Sequence, residues 1–164
     1  MKITPTTVID FKQAQPEDLP VVLEILAETA VWLQAKGLDF PTAIVLEPQI
    51  AAAITQGELY TVGIVKNRFG VVQFGWHDPL WPDDNLAGYL TMIAVRNEMH
   101  GQKLGETMLI WTLLKAKRAK KSFLRLSCAV ENGRLRHYFE DQEFVFQREQ
   151  IQNNSIIALY EKAI

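Results

Sequence analysis

The spacing of apolar residues changes several times along this chain, from every second position to every third or fourth and back. Val8 to Gln13 alternates apolar and polar residues and predicts a first strand. Pro16-Glu17-Asp18 reads as a helix start, because proline is tolerated in a first turn and acids suit the dipole there. Leu19, Leu23, Leu26, Ala30 and Leu33 follow at helical spacing, and Gly37 is a natural stop. Pro41 breaks the chain, and Pro48 to Gln56 predicts a short helix closed by Gly57. Two strands come next, Glu58 to Lys66 and Phe69 to His77, with Asn67-Arg68 as the hairpin connection. Asp78 to Asn85 holds Pro79 and Pro82 and predicts a loop, and Trp76 and Trp81 make it a packed one.

The second half repeats the alternation of period. Leu86 to Val95 predicts a long apolar strand, and Gly101 to Lys121 a helix that is apolar round most of its circumference. Phe123 to Val130 predicts another strand, a helix begins near Asn132, and closing strands run from Phe144 to Gln150 and Ile156 to Glu161. The late strand–helix–strand unit predicts a parallel pair joined by a right-handed crossover. The hairpins make the sheet mixed, so the fold class is α/β. A chain of 164 residues suits one compact domain, residues 1–164.

Composition narrows the functions. Hydrophobic residues make up 48% of the chain and charged residues 22%, which is globular composition. A net charge of −2 argues against nucleic acid as a partner, because phosphate backbones need a basic surface. Cys128 is the only cysteine, so no intramolecular disulfide forms and a reducing compartment fits. Met1 to Phe11 does not read as a signal peptide, and no apolar run is long enough to cross a bilayer. A cytoplasmic protein with no metal and no membrane partner is the expectation.

The chemistry concentrates where the strand ending Ile93-Ala94-Val95 passes through a polar turn into a glycine-bearing helix start, His100-Gly101-Gln102-Lys103-Leu104-Gly105-Glu106. The first N–H groups of a helix have no intrahelical partner and, with the dipole, attract phosphate. Gly101 and Gly105 would permit close approach, and Lys103 or His100 could add charge. Such a turn is common in α/β proteins, and it lacks the glycine spacing of dinucleotide folds and the Gly-Lys-Ser/Thr of nucleotide hydrolases.

This segment resembles the acyl-CoA signature of the GNAT acetyltransferase superfamily, Arg/Gln-x-x-Gly-x-Gly/Ala after a strand ending apolar-Ala-Val. Here His100 stands where Arg or Gln is usual, and Lys103 where the first motif glycine is usual. A Lys103 with helical dihedrals would point its side chain outward. Asn132 to Phe144 resembles the family's later motif, in which Asn opens a helix and Tyr precedes Gly-Phe, with Glu143 replacing that glycine. The Trp32-Leu33 to Gly37-Leu38 stretch is also similar to small bacterial members.

The resemblance implies a central mixed, mostly antiparallel sheet with a splayed parallel pair and helices on both faces. It implies acetyl-CoA as cosubstrate, an amine as acceptor, and direct attack in a ternary complex. The backbone of Ile93, Ala94 and Val95 would pair with the pantetheine arm. The N–H groups of Gly101, Gln102, Lys103, Leu104, Gly105 and Glu106 would hold the pyrophosphate, the His100 imidazole would donate to a phosphate, and Asn132 would lie at the CoA arm. Tyr138 would protonate the leaving thiolate; without the resemblance it reads as a packing aromatic beside Leu135. His77, Asp78, Asp83 and Asp84 are loop acids and bases, none of which stands out as a general base. Trp76, Trp81, Phe40 and Tyr89 either line an acceptor pocket or form ordinary core. Cys128 reads as a small buried hydrophobe. Two rivals share the fold: an acyl-CoA-binding sensor without catalysis, and an interaction domain. The late strands could pair across a homodimer, so the expected state is monomer or homodimer.

Overall fold

The computed structural model describes residues 1–164. Its strands are β1 (Asp10–Gln13), β2 (Leu59–Ile64), β3 (Asn67–Gly75), β4 (Ala87–Val95), β5 (Phe123–Ala129), β6 (Val145–Gln152) and β7 (Ser155–Ala163). Its helices are α1 (Leu19–Gln34), α2 (Ala43–Thr55), α3 (Leu104–Arg118) and α4 (Gly133–Asp141). The sheet has seven strands in the order β1-β2-β3-β4-β5-β7-β6, with the β1–β2, β2–β3, β5–β7 and β6–β7 pairs antiparallel and β4–β5 parallel, as expected for the mixed α/β class. The β4–β5 ladder pairs Ala87–Leu90 with Phe123–Leu126, while β4 continues to Val95 and β5 to Ala129. None of the helices is long and apolar enough to cross a membrane.

The chain divides into two compact units, Met1–Phe74 with Met92–Met108, and Gly75–Thr91 with Leu109–Ile164. In the first unit, Val22, Ile25 and Leu26 of α1 and Leu46, Ile50, Ala53 and Ile54 of α2 form one core with Leu59, Val71 and Ala94. Strand neighbours alternate faces, so Gly70, next to Val71, points the opposite way. A Cβ on Gly70 would run into Cε of Met108 in α3, so α3 covers the second face.

In the second unit the same alternation applies to β7. Leu159 packs with Trp81, Ala87 and Tyr89, and the next residue, Tyr160, turns to Phe139 of α4, with ring centroids 6.3 Å apart. Asn153 and Asn154, at φ 48° and 62°, form the tight turn between β6 and β7, where left-handed asparagine matches the twist of a hairpin.

Three elements differ from the sequence expectation. Helix α2 begins at Ala43, with Pro48 inside it. Its first bond runs from Leu46 N–H to the Thr42 carbonyl at 3.0 Å, and the one bond that Pro48 forfeits is to Ile44, a residue 83% exposed. The β2–β3 turn is Val65-Lys66, since Ile64 pairs with Asn67. A bulge between Val62 and Gly63 sets Arg68 opposite Gly63, where a Cβ would come within 2.8 Å of the Arg68 guanidinium, and Arg68 pairs with Asp10. Helix α3 starts at Leu104, because Gly101 and Lys103 take left-handed conformations at φ 79° and 57°.

Candidate active site

The turn after β4 lies wholly in the first unit. Asn97–Met99 forms a single 3-10 turn, closed by Met99 N–H to the Arg96 carbonyl at 3.0 Å and anchored by the buried Met99 side chain. The chain then reverses through Gly101 and Lys103 into α3, whose first helical bond is Thr107 N–H to the Lys103 carbonyl at 3.1 Å. The N–H groups of Leu104, Gly105 and Glu106 precede that bond and are left for an outside acceptor. A Cβ built on Gly101 or Gly105 meets no atom within 4 Å. Gly101 is explained by its positive φ, whereas Gly105, in the first turn of a helix, has neither a backbone nor a packing reason to be glycine. A site in which an anion approaches the backbone supplies that reason.

Two side chains of this turn are engaged elsewhere. Gln102 accepts from Ile3 N–H at 2.7 Å and donates to the Met1 carbonyl at 2.9 Å, so it ties the N-terminal segment to the turn. His100 places Nε2 3.1 Å from the Val95 carbonyl, and its ring meets Trp32 edge-on at 4.9 Å. Lys103 is not helical: its left-handed φ explains why glycine is usual at this place in the motif. The sequence reading also passed over Arg96, whose Nη1 lies 2.6 Å from Glu28 and Nη2 2.9 Å from Glu24, while Nε bonds the Arg68 carbonyl at 3.2 Å. The two carboxylates raise the pKa of Arg96. A single arginine at a strand end carries no periodic signal, so only its partners reveal it.

Asn132 and Tyr138 lie in the second unit. Asn132 caps α4, its Oδ1 accepting from Leu135 N–H at 3.1 Å, which fixes where the helix begins. Arg136 and Glu140, one turn apart, both bond the buried Tyr160 hydroxyl, at 2.9 and 2.8 Å. Tyr138 stands about 200° round the helix from Arg136, half-buried beside Phe139. Glu143, where the motif has glycine, has φ 66°. Burial pushes the Cys128 thiol up to about 11.

The loop from Asp78 to Asn85 is held by Arg125 of β5, which is 6% exposed. Its guanidinium makes two bonds to Asp84, at 3.0 and 2.9 Å, one to Glu161 at 2.6 Å and one to the Tyr89 hydroxyl at 3.1 Å. It also lies 4.8 Å from the Trp81 ring centre. The bonds from Arg125 lower the pKa of Asp84, and with both its oxygens bound Asp84 does not act as a base. Asp78 caps the Leu80 N–H, and exposed His77 and Asp83 face each other at 3.8 Å. Trp81 and Tyr89 are core, Phe40 packs against the α1–α2 core, and Trp76 is 43% exposed. No cluster of metal ligands is present.

No family profile matches the chain. A Bacillus subtilis protein named as an uncharacterised N-acetyltransferase, YesJ, is 25% identical over 158 aligned residues, which cover 88% of each protein. A GNAT-family acetyltransferase from Listeria monocytogenes superposes with a TM-score of 0.78 at 22% identity, over the full length of both chains. The PaiA N-acetyltransferase of Thermoplasma acidophilum, solved with coenzyme A, gives a TM-score of 0.72 at 15% identity, over 96% of this chain and 100% of its own.

Proposed function

We propose that this chain, which has the fold of the GNAT acetyltransferases, moves an acetyl group from acetyl-CoA to a primary amine of a small molecule or peptide. The observation that carries the reading is the turn into α3. Its free N–H groups, the reversal at Gly101 and the otherwise unexplained Gly105 fit a pyrophosphate resting on the backbone. The neighbour solved with coenzyme A supports the same ligand.

The residues divide the work as follows. Backbone groups of Ile93, Ala94 and Val95 align the pantetheine arm, and an N–H among them polarises the thioester carbonyl. Gly101, Lys103, Leu104, Gly105 and Glu106 hold the diphosphate through their N–H groups. The neutral amine attacks the carbonyl carbon, the C–S bond breaks and the thiolate takes the Tyr138 hydroxyl proton, while the proton shed by the acylated nitrogen passes to solvent, from which the Tyr138 phenolate is reprotonated. A phenol near ~10 and a thiol near ~8.5 are close enough for that transfer. Asn132 supports the arm while capping α4.

The test has two stages. Ligand at about 100 times its dissociation constant stabilises the native state by about 2.7 kcal/mol, so CoA and acetyl-CoA should both raise the unfolding midpoint. Thiol release is then followed across a panel of amines. Tyr138→Phe should keep the CoA-dependent shift and lose turnover by about 10²–10⁴-fold. Binding without turnover of any amine would favour a CoA sensor, and an unmoved midpoint at millimolar CoA would leave an interaction domain.

A further inference from the structure

Glu24, Glu28, Trp32 and Lys36 recur every fourth residue along α1 and just past its end, so they form one stripe on a single helical face. This stripe runs beside the turn after β4. Glu24 and Glu28 hold the Arg96 guanidinium, at 2.9 and 2.6 Å. The second oxygen of Glu28 accepts the Asn97 N–H at 3.1 Å, so one carboxylate fixes both a side chain and the backbone at the turn's start. One helical turn later, Trp32 sets its ring against His100 at 4.9 Å, with planes 75° apart. Lys36 lies over the same indole, 4.5 Å from its centre.

The bond from His100 changes its role. With Nε2 on the Val95 carbonyl, the imidazole spans the turn from its far side back to the strand end. Arg96 N–H bonds the Phe69 carbonyl of β3 at 2.8 Å, so the near side is fixed to the sheet as well. Directly beyond the His100 anchor the chain passes through Gly101 and Lys103, both left-handed and both exposed. A segment of that kind has many alternatives to the conformation that points its N–H groups at one anion.

We infer that Glu28 and Trp32 of α1 are positioning residues for the cofactor turn, acting through Arg96, Asn97 and His100, and that His100 is a strut on Val95 instead of a phosphate ligand. The cofactor half of this inference rests on the proposed acetyl transfer; the holding of the turn does not. The stripe thereby makes α1 part of the diphosphate site without touching the diphosphate.

Amide hydrogen exchange and CoA titration calorimetry on the full chain test it, using Glu28→Ala, Glu28→Gln, Trp32→Ala and Trp32→Phe. A lost bond to a charged group corresponds to about tenfold in an equilibrium. Glu28→Ala and Trp32→Ala should speed exchange of the bonded amides of Asn97, Met99, His100 and Thr107 about tenfold and weaken CoA by a similar factor, with the β2 and β3 amides unchanged. Trp32→Phe keeps an aromatic edge on His100 and should restore both values, with Glu28→Gln between. Unchanged exchange at Asn97, Met99, His100 and Thr107, or equal acceleration in β2 and β3, overturns the positioning role. Faster exchange with undiminished CoA affinity overturns its cofactor clause. Wild-type protein that binds no CoA refutes acetyl transfer and that clause together, while the exchange data still accept or reject the holding of the turn.

Discussion

Four residues other than asparagine carry backbone strain that their sequence neighbours do not advertise: Val65, Lys103, Lys120 and Glu143 have φ of 54°, 57°, 57° and 66°. An L-residue in that region costs about 1–2 kcal/mol, and glycine returns about 0.5–1 of it to chain entropy. Lys103→Gly and Glu143→Gly should therefore each raise stability by about 0.5–1 kcal/mol in denaturant unfolding, and Val65→Gly at least as much because Val65 is β-branched. Glu143 also pairs with Lys162 at 3.1 Å, but that pair is exposed and offsets little. Cys128 makes a second prediction at this scale. Its thiol ionises near 11 when folded against 9.0 as the reference, so the buried form stays protonated and unreactive at pH 8. Native protein should label with a thiol reagent far more slowly than unfolded protein. The sign of linkage follows: the unfolded chain loses its proton first, so stability falls as pH rises from about 9 towards 11.

The elements were legible wherever a single periodicity ran uninterrupted. Helix α1 has Leu23, Leu26, Ala30 and Leu33 in register, and β5 alternates Leu124, Leu126 and Cys128 with residues of the other face. Boundaries were legible only where a cap marks them, as Asn132 does for α4. They were not legible at Pro48 or Val65-Lys66, where burial of Leu46 and the bulge at Gly63 outweigh local preference. In the candidate site, the two motifs pointed to the turn and to Tyr138. They could not show Arg96 or Arg125, whose partners lie far away in sequence. Arg125 is the sharper case: in the alternation of β5 it reads as a solvent-facing residue, yet it is buried under Trp81. Arg125→Ala leaves Asp84 and Glu161 without their cation and should cost about 3–5 kcal/mol. Asp84→Ala leaves Glu161 and Tyr89 in place and should cost about 1–3. Comparative urea unfolding of the two checks this order. Because Arg125 lowers the pKa of Asp84, their pairing is complete above the ordinary carboxylate range and is lost as pH falls through the folded value. The difference between wild type and Asp84→Ala should accordingly narrow in acid.

At the scale of the whole molecule, β4 and α3 each contribute residues to both compact units. A unit that unfolded alone would have to break a strand and a helix in mid-course. We expect one cooperative transition, with calorimetric and van't Hoff enthalpies equal; two resolved transitions would mean that residues 1–164 do not act as a single domain. The strand order β4-β5-β7-β6 has a further consequence, for the chain while it is being made. Strand β5 leaves the ribosome before α4, β6 and β7, yet its outer neighbour is β7. Until Ser155–Ala163 has emerged, that edge of β5 presents unpaired N–H and carbonyl groups, an invitation to other nascent chains. Chains that stop short of β7 therefore keep that edge bare. A chain truncated after β6 should yield more aggregate than one that includes β7.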